Sequence, residues 1–118
     1  MPIILHITQE QAWSDVQAEG RYETPSLHSQ GFIHCSTNEQ VLEVANVLFK
    51  DQAGLVLLCI DRGKIVPEVR YENCEGGDRL FPHIYGPLNL DAVLDVVPFT
   101  ADDDGLFQLP PTVRRMFE

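Results

Sequence analysis

The alternation of apolar and polar positions predicts strands and helices taken in turn, then a run of strands. Residues 3–7 (Ile-Ile-Leu-His-Ile) read as a strand. Thr8-Gln9-Glu10-Gln11 has the Thr-x-x-Gln spacing of a capping box and predicts a helix through Ala12, Trp13 and Val16 that Gly20 ends. A loop containing Pro25 follows. Gly31-Phe32-Ile33-His34-Cys35-Ser36 reads as a second strand running into a second box, Thr37-Asn38-Glu39-Gln40, after which Val41, Ala45, Leu48 and Phe49 keep helical spacing. Residues 55–60 form an unbroken apolar run closed by Asp61-Arg62-Gly63, the pattern of a strand covered on both faces and the candidate for the centre of a sheet. Residues 69–72, 80–85 and 92–99 are further extended candidates, divided by Cys74-Glu75-Gly76-Gly77-Asp78 and by Gly86-Pro87. The last also fits a short turn over 90–92 that leads into the strand. Two strand–helix units followed by consecutive strands predict an α+β fold with a mixed or antiparallel sheet and two main helices, as one domain over 1–118 with a peripheral tail at 111–118.

Composition narrows the function more than the fold. With 44% hydrophobic and 22% charged residues the chain has the make-up of a globular domain. Its 18 Asp and Glu against 8 Lys and Arg give a net charge of −10, and residues 1–60 hold only Arg21 and Lys50 as cations. Nucleic-acid and anionic-membrane partners are therefore not expected, because both draw their affinity from clustered basic side chains. Arg62, Lys64, Arg70 and Arg79 lie close in sequence and suffice for one small anion if the fold gathers them. Cys35, Cys59 and Cys74 make an odd count without a Cys-x-x-Cys pair, which fits reduced thiols in the cytoplasm. No signal-peptide pattern opens the chain and no run approaches membrane-span length.

The candidate chemistry lies with the histidines. The period of two in a strand puts His6 on one face with Ile4 and Thr8, His34 with Phe32 and Ser36, and His83 with Phe81 and Tyr85. Each histidine thus has a hydroxyl neighbour two residues along, and adjacent strands would build from them a polar cleft with an aromatic wall. Glu72, ending a candidate strand, is the one carboxylate placed to act as acid, base or electrostatic partner. Three imidazoles also admit a catalytic zinc, although no pair has the local spacing that brings ligands together, and no metal is expected. Cys35 points away from His34 and reads as core, as does Cys59. Gly76-Gly77 lacks the spacing of a nucleotide-binding fingerprint.

Taken in order, His6-Ile7-Thr8, Gly31 to Thr37, and Leu80-Phe81-Pro82-His83-Ile84-Tyr85-Gly86-Pro87-Leu88 resemble the bacterial family named domain of unknown function 952, over roughly 4–110. That family is grouped with the ADP-ribosyltransferase-like superfamily, beside RNA 2′-phosphotransferases. The resemblance implies a split α+β sheet enclosing a nicotinamide-dinucleotide cleft, with His6 at the nicotinamide-side ribose and Ser36-Thr37 as the supporting pair. Transferases of the superfamily carry a glutamate in the third motif to stabilise the ribosyl cation. Here His83 stands in its place and Glu72 is the nearest acid, and no arginine accompanies His6 or His34 as in the phosphotransferases.

The expectation is a protein that binds NAD or a related small nucleotide, through His6, Thr8, Ser36, Thr37 and Tyr85. Glycosyl or phosphoryl transfer on a small molecule would use His83, Glu72 and His34. A non-catalytic binding or interaction module is the alternative, and a His-metal hydrolase through His6, His34 and His83 the second.

Overall fold

The computed structural model describes residues 2–73 and 79–118; the predicted divider at 74–78, with Cys74 and Gly76-Gly77, lies outside them. The chain is α+β, and every strand pairing is antiparallel. In order, the elements are β1 (Ile3–Gln9), α1 (Glu10–Asp15), β2 (Arg21–Tyr22), α2 (Pro25–Ser29), β3 (Ile33–His34), α3 (Val41–Leu48), β4 (Leu55–Asp61), β5 (Glu68–Glu72), β6 (Phe81–Tyr85), β7 (Leu88–Asn89), β8 (Val93–Phe99) and α4 (Pro111–Met116). A first sheet has the order β1-β4-β8, a second β3-β6-β5, and β2 pairs with β7.

The apolar run is the central strand of the first sheet. All seven residues of β4 are buried, and their alternation divides the core in two. Leu55, Leu57 and Cys59 face Val41 and Ala45 of α3 together with Phe107 and Val113. Val56, Leu58 and Ile60 face Ile33, Cys35 and Ile84 of the second sheet, with Tyr22 and Leu88 between them. The two sheets therefore pack through the second cluster, while α3 covers the outer side of the first. The free edge of β1 is closed by a short bridge: Leu5 and Ser36 exchange both backbone bonds at 2.8 Å. This bridge carries the histidine strand β3 up against β1.

Several local expectations change. Thr8 does not cap α1: it remains in β1 opposite Val56, Gln9 takes the cap position without a side-chain bond, and the Glu10 N–H donates to the Gly54 carbonyl. The second box forms by half, the Thr37 N–H donating to Oε1 of Gln40 at 3.1 Å. Gly20 does not end α1: the helix stops at Asp15 with Val16 as its C-cap, and Gly20, at φ +78°, closes the turn that follows, its N–H donating to the Val16 carbonyl. The Pro25 loop is a short helix, with Thr24 as its cap, so among the described residues α2 and α4 join the two expected helices, α1 and α3. The tail at 111–118 is not peripheral, because α4 seats a fully buried Val113 in the core. Among the described residues no helix is long and apolar enough to cross a membrane.

Candidate functional site

The three histidines fall into two polar clusters that share one peptide carbonyl. His6 is buried on the β1 face toward the second sheet. Its Nδ1–H donates to the carbonyl of His34 at 2.5 Å, and its Nε2 lies 2.8 Å from Tyr22 Oη. Burial holds the imidazole well below its ordinary range, at about 4, with the His34 carbonyl acting weakly in the other direction. The neutral ring carries one proton, and a carbonyl only accepts, so the proton is on Nδ1 and Tyr22 donates its hydroxyl to Nε2. Thr8 Oγ1 completes the chain, 2.8 Å from the Tyr22 oxygen. Burial pushes the Tyr22 phenol up to about 12, so it keeps its hydrogen. Tyr22→Phe leaves His6 without its donor in a closed site, and a loss of about 1–3 kcal/mol is expected in urea unfolding; a loss below about 0.5 kcal/mol would show that the chain carries no weight.

The second cluster lies on the outer face of the second sheet. Register sets His34 opposite His83 and His83 opposite Arg70, one row across three strands. Glu72 Oε1 accepts from Nδ1 of His83 at 3.1 Å and from the Tyr85 hydroxyl in a shorter bond. These two donors, Tyr85 first, hold the Glu72 carboxyl below the usual carboxylate range, and the same bond raises the Tyr85 phenol. A carboxylate accepts only, so Nδ1 of His83 bears the proton that it donates to Glu72, the orientation that a carboxylate–histidine pair imposes in acid–base sites. Phe32 stacks on His83 at 4.1 Å with 18° between the rings, and meets His34 edge-on at 4.8 Å. Gln30 Oε1 lies 2.7 Å from Nε2 of His34.

A cleft of about 350 Å³ opens beside this cluster. His34, His83 and Phe81 form one wall, the β1–Ser36 bridge its floor, and the α3 residues Val44, Val47 and Leu48 the other wall. Of the expected site residues, His6, His34, Ser36 and His83 border the cleft. Glu72 and Tyr85 reach it only through His83. Thr8 is buried behind His6, and Thr37 serves the start of α3, its carbonyl accepting from Gln40 and Val41. The four clustered cations are not gathered: Arg79 lines the cleft, Arg70 lies 4.5 Å over the Tyr85 ring, and Arg62 lies over Tyr71 on the opposite face of β5. Among the described residues no group of three or more His, Cys, Asp or Glu is placed to hold a metal ion. Cys35 and Cys59 are buried core thiols, raised by desolvation, Cys59 to about 11.

Tyr22, Phe32 and the α3 wall were not singled out from sequence. Phe32 had a signal, since it shares the alternation of His34. Tyr22 had none, because a two-residue strand shows no period.

No curated protein matches the chain significantly. Solved structures do. The crystal structure of CC0527 from Caulobacter crescentus is 34% identical, with a TM-score of 0.84 over 95% of this chain and 98% of that one. The solution NMR structure of CC0527 is 36% identical, with a TM-score of 0.80 over 92% and 94%. The family described as "Protein of unknown function (DUF952)" matches residues 7–96, a span that holds both walls of the cleft and the Glu72–His83 pair. The chain therefore belongs to the DUF952 family.

Proposed function

We propose that the protein binds NAD or a related small nucleotide in the cleft, on an ADP-ribosyltransferase-like scaffold, and that His83 held by Glu72 moves the proton in a glycosyl or phosphoryl transfer. The observation that carries this reading is the carboxylate-oriented His83 at the wall of a ligand-sized cleft. A buried imidazole stacked on Phe32 and oriented by an anionic carboxylate is suited to proton exchange. The cleft lies at the small end of the roughly 300–1,000 Å³ range of ligand pockets. That size favours one nucleoside half of a dinucleotide as the group it encloses.

A thermal-shift titration with NAD, ADP-ribose, nicotinamide and 2′-phosphorylated nucleotides tests it. A ligand at tenfold excess over its Kd stabilises the native state by about 1.4 kcal/mol, or roughly 5 °C or more in a domain of this size. The shift is expected with NAD or ADP-ribose and lost in His83→Ala. No shift with any of the four at millimolar concentration would overturn the reading.

One observation favours binding without turnover. His6, which the family resemblance assigns to ribose hydroxyls, already engages both ring nitrogens inside the protein. Nicotinamide release on incubation with NAD separates the two: release supports transfer, and a saturable shift without release supports a binding module.

A further inference from the structure

The rim of the cleft carries one opposed charge pair. Arg79, just before β6, donates from Nη1 to Glu43 Oε2 of α3 at 2.5 Å, and both residues line the cleft. Their side chains are 47% and 61% exposed. A pair so open to water holds by less than about fivefold in an equilibrium constant. The cation is better anchored than its partner. Its guanidinium lies 5.6 Å over the Phe81 ring. The neighbouring backbone is tied to α3 by Gln40, whose Oε1 accepts from the Thr37 N–H while its Nε2 donates to the Leu80 carbonyl at 2.7 Å. The α3 wall is unusual in the other sense: Val47 and Leu48 are 70% and 64% exposed, aliphatic side chains left in water where they border the cleft.

A preorganised guanidinium, an exchangeable carboxylate and an uncovered apolar wall together define a ligand with an anionic end and an apolar body. We infer that Arg79 is the anion-recognition residue of this cleft, taking a phosphate whose attached ring lies on Val44, Val47 and Leu48, and that Glu43 is a built-in competitor displaced by it. The inference rests on the nucleotide reading of the same cleft and names the residue that reads the phosphate. Arg70 is a poorer candidate, since it is paired with Glu68, lies over Tyr85 and does not line the cleft.

The test is a ¹H–¹⁵N NMR titration of the 13.3 kDa protein with phenyl phosphate and phenol, and with AMP and adenosine. Phenyl phosphate is expected to move the amides of Glu43 to Phe49 and of Arg79 to Phe81, and phenol to bind more weakly at the same place. Glu43→Gln tightens phenyl phosphate about two- to fivefold by removing the competitor, and Arg79→Gln weakens it about tenfold while leaving phenol unchanged. Both side chains are exposed, and a dispersed spectrum confirms that each variant is folded. Phenyl phosphate and phenol responding alike to both substitutions, or shifts confined to other residues, would overturn the inference. Should phenyl phosphate behave as expected while AMP and adenosine leave the spectrum unchanged, the anion site stands and the nucleotide reading fails. Should AMP bind with no dependence on Arg79, the reverse holds.

Discussion

Acidification from pH 6.5 to pH 4 is expected to remove about 3 kcal/mol of stability through His6 alone. In the unfolded chain this imidazole takes up its proton near 6.5, and in the folded protein only near 4. Between those values the unfolded state binds more protons, so stability falls as the pH falls. Above about 6.5 the contribution is fully present, and below about 4 both states are protonated and the loss is complete. Burial drives the effect, because a charged ring at this position loses most of its hydration, and the carbonyl of His34 compensates for only part of that cost. Urea unfolding of the wild type and of His6→Gln at a series of pH values checks it. The glutamine variant does not titrate, so its stability should fall less steeply across the window. Parallel curves for the two proteins would show that His6 is not the group responsible.

The same histidine shows where sequence reasoning reached and where it stopped. Alternation placed His6 with Thr8, His34 with Phe32 and His83 with Tyr85, and each of those faces is found. Alternation follows from the backbone of a single strand, so it is legible wherever a strand is. Likewise the apolar run at β4 announced a central strand, since only burial on both faces tolerates six aliphatic and thiol side chains in succession. What alternation cannot give is the side of the sheet to which each face turns. His6 faces the interior between the sheets, whereas His34 and His83 face outward, and the sense was decided by distant partners: Tyr22 in the first case, Phe32 and Glu72 in the second.

Capping motifs failed for a related reason. Thr8 has the residue type and spacing of a cap, but its hydroxyl is engaged by Tyr22, and the register with Val56 extends β1 past it. A tertiary hydrogen bond outweighed a local one. The cleft wall on α3 was invisible for the opposite reason: Leu48 belongs to the helical apolar pattern that normally denotes core, Val47 lies beside that pattern, and sequence cannot tell a covered stripe from one left open beside a ligand site.

Ile84→Ala is expected to cost about 2–5 kcal/mol, the range for truncating a fully buried aliphatic side chain where the surroundings cannot collapse. Ile84 pairs with Ile33 on one side and Val69 on the other, and packs against the cluster of Ile4, Val56 and Leu58. It is thus the point through which the second sheet is held on the first. Collapse is restricted because β4, on the far side of that cluster, is itself packed on its other face by α3 and Phe107. Ile84→Val should lose only about 0.5–1.5 kcal/mol, and Val66→Ala, at a side chain 82% exposed, should stay within about 0.5 kcal/mol of the wild type. Urea titration of the three variants gives the comparison. An alanine variant that loses less than 1 kcal/mol would mean that the second sheet does not bear on the first at Ile84. The same substitution then reports on the site, because His83 and Tyr85 flank Ile84 and point to the opposite face. The position of the His83 imidazole over Glu72 depends on a strand held from beneath by an aliphatic side chain, so core packing and the proton-transfer geometry are two faces of one strand.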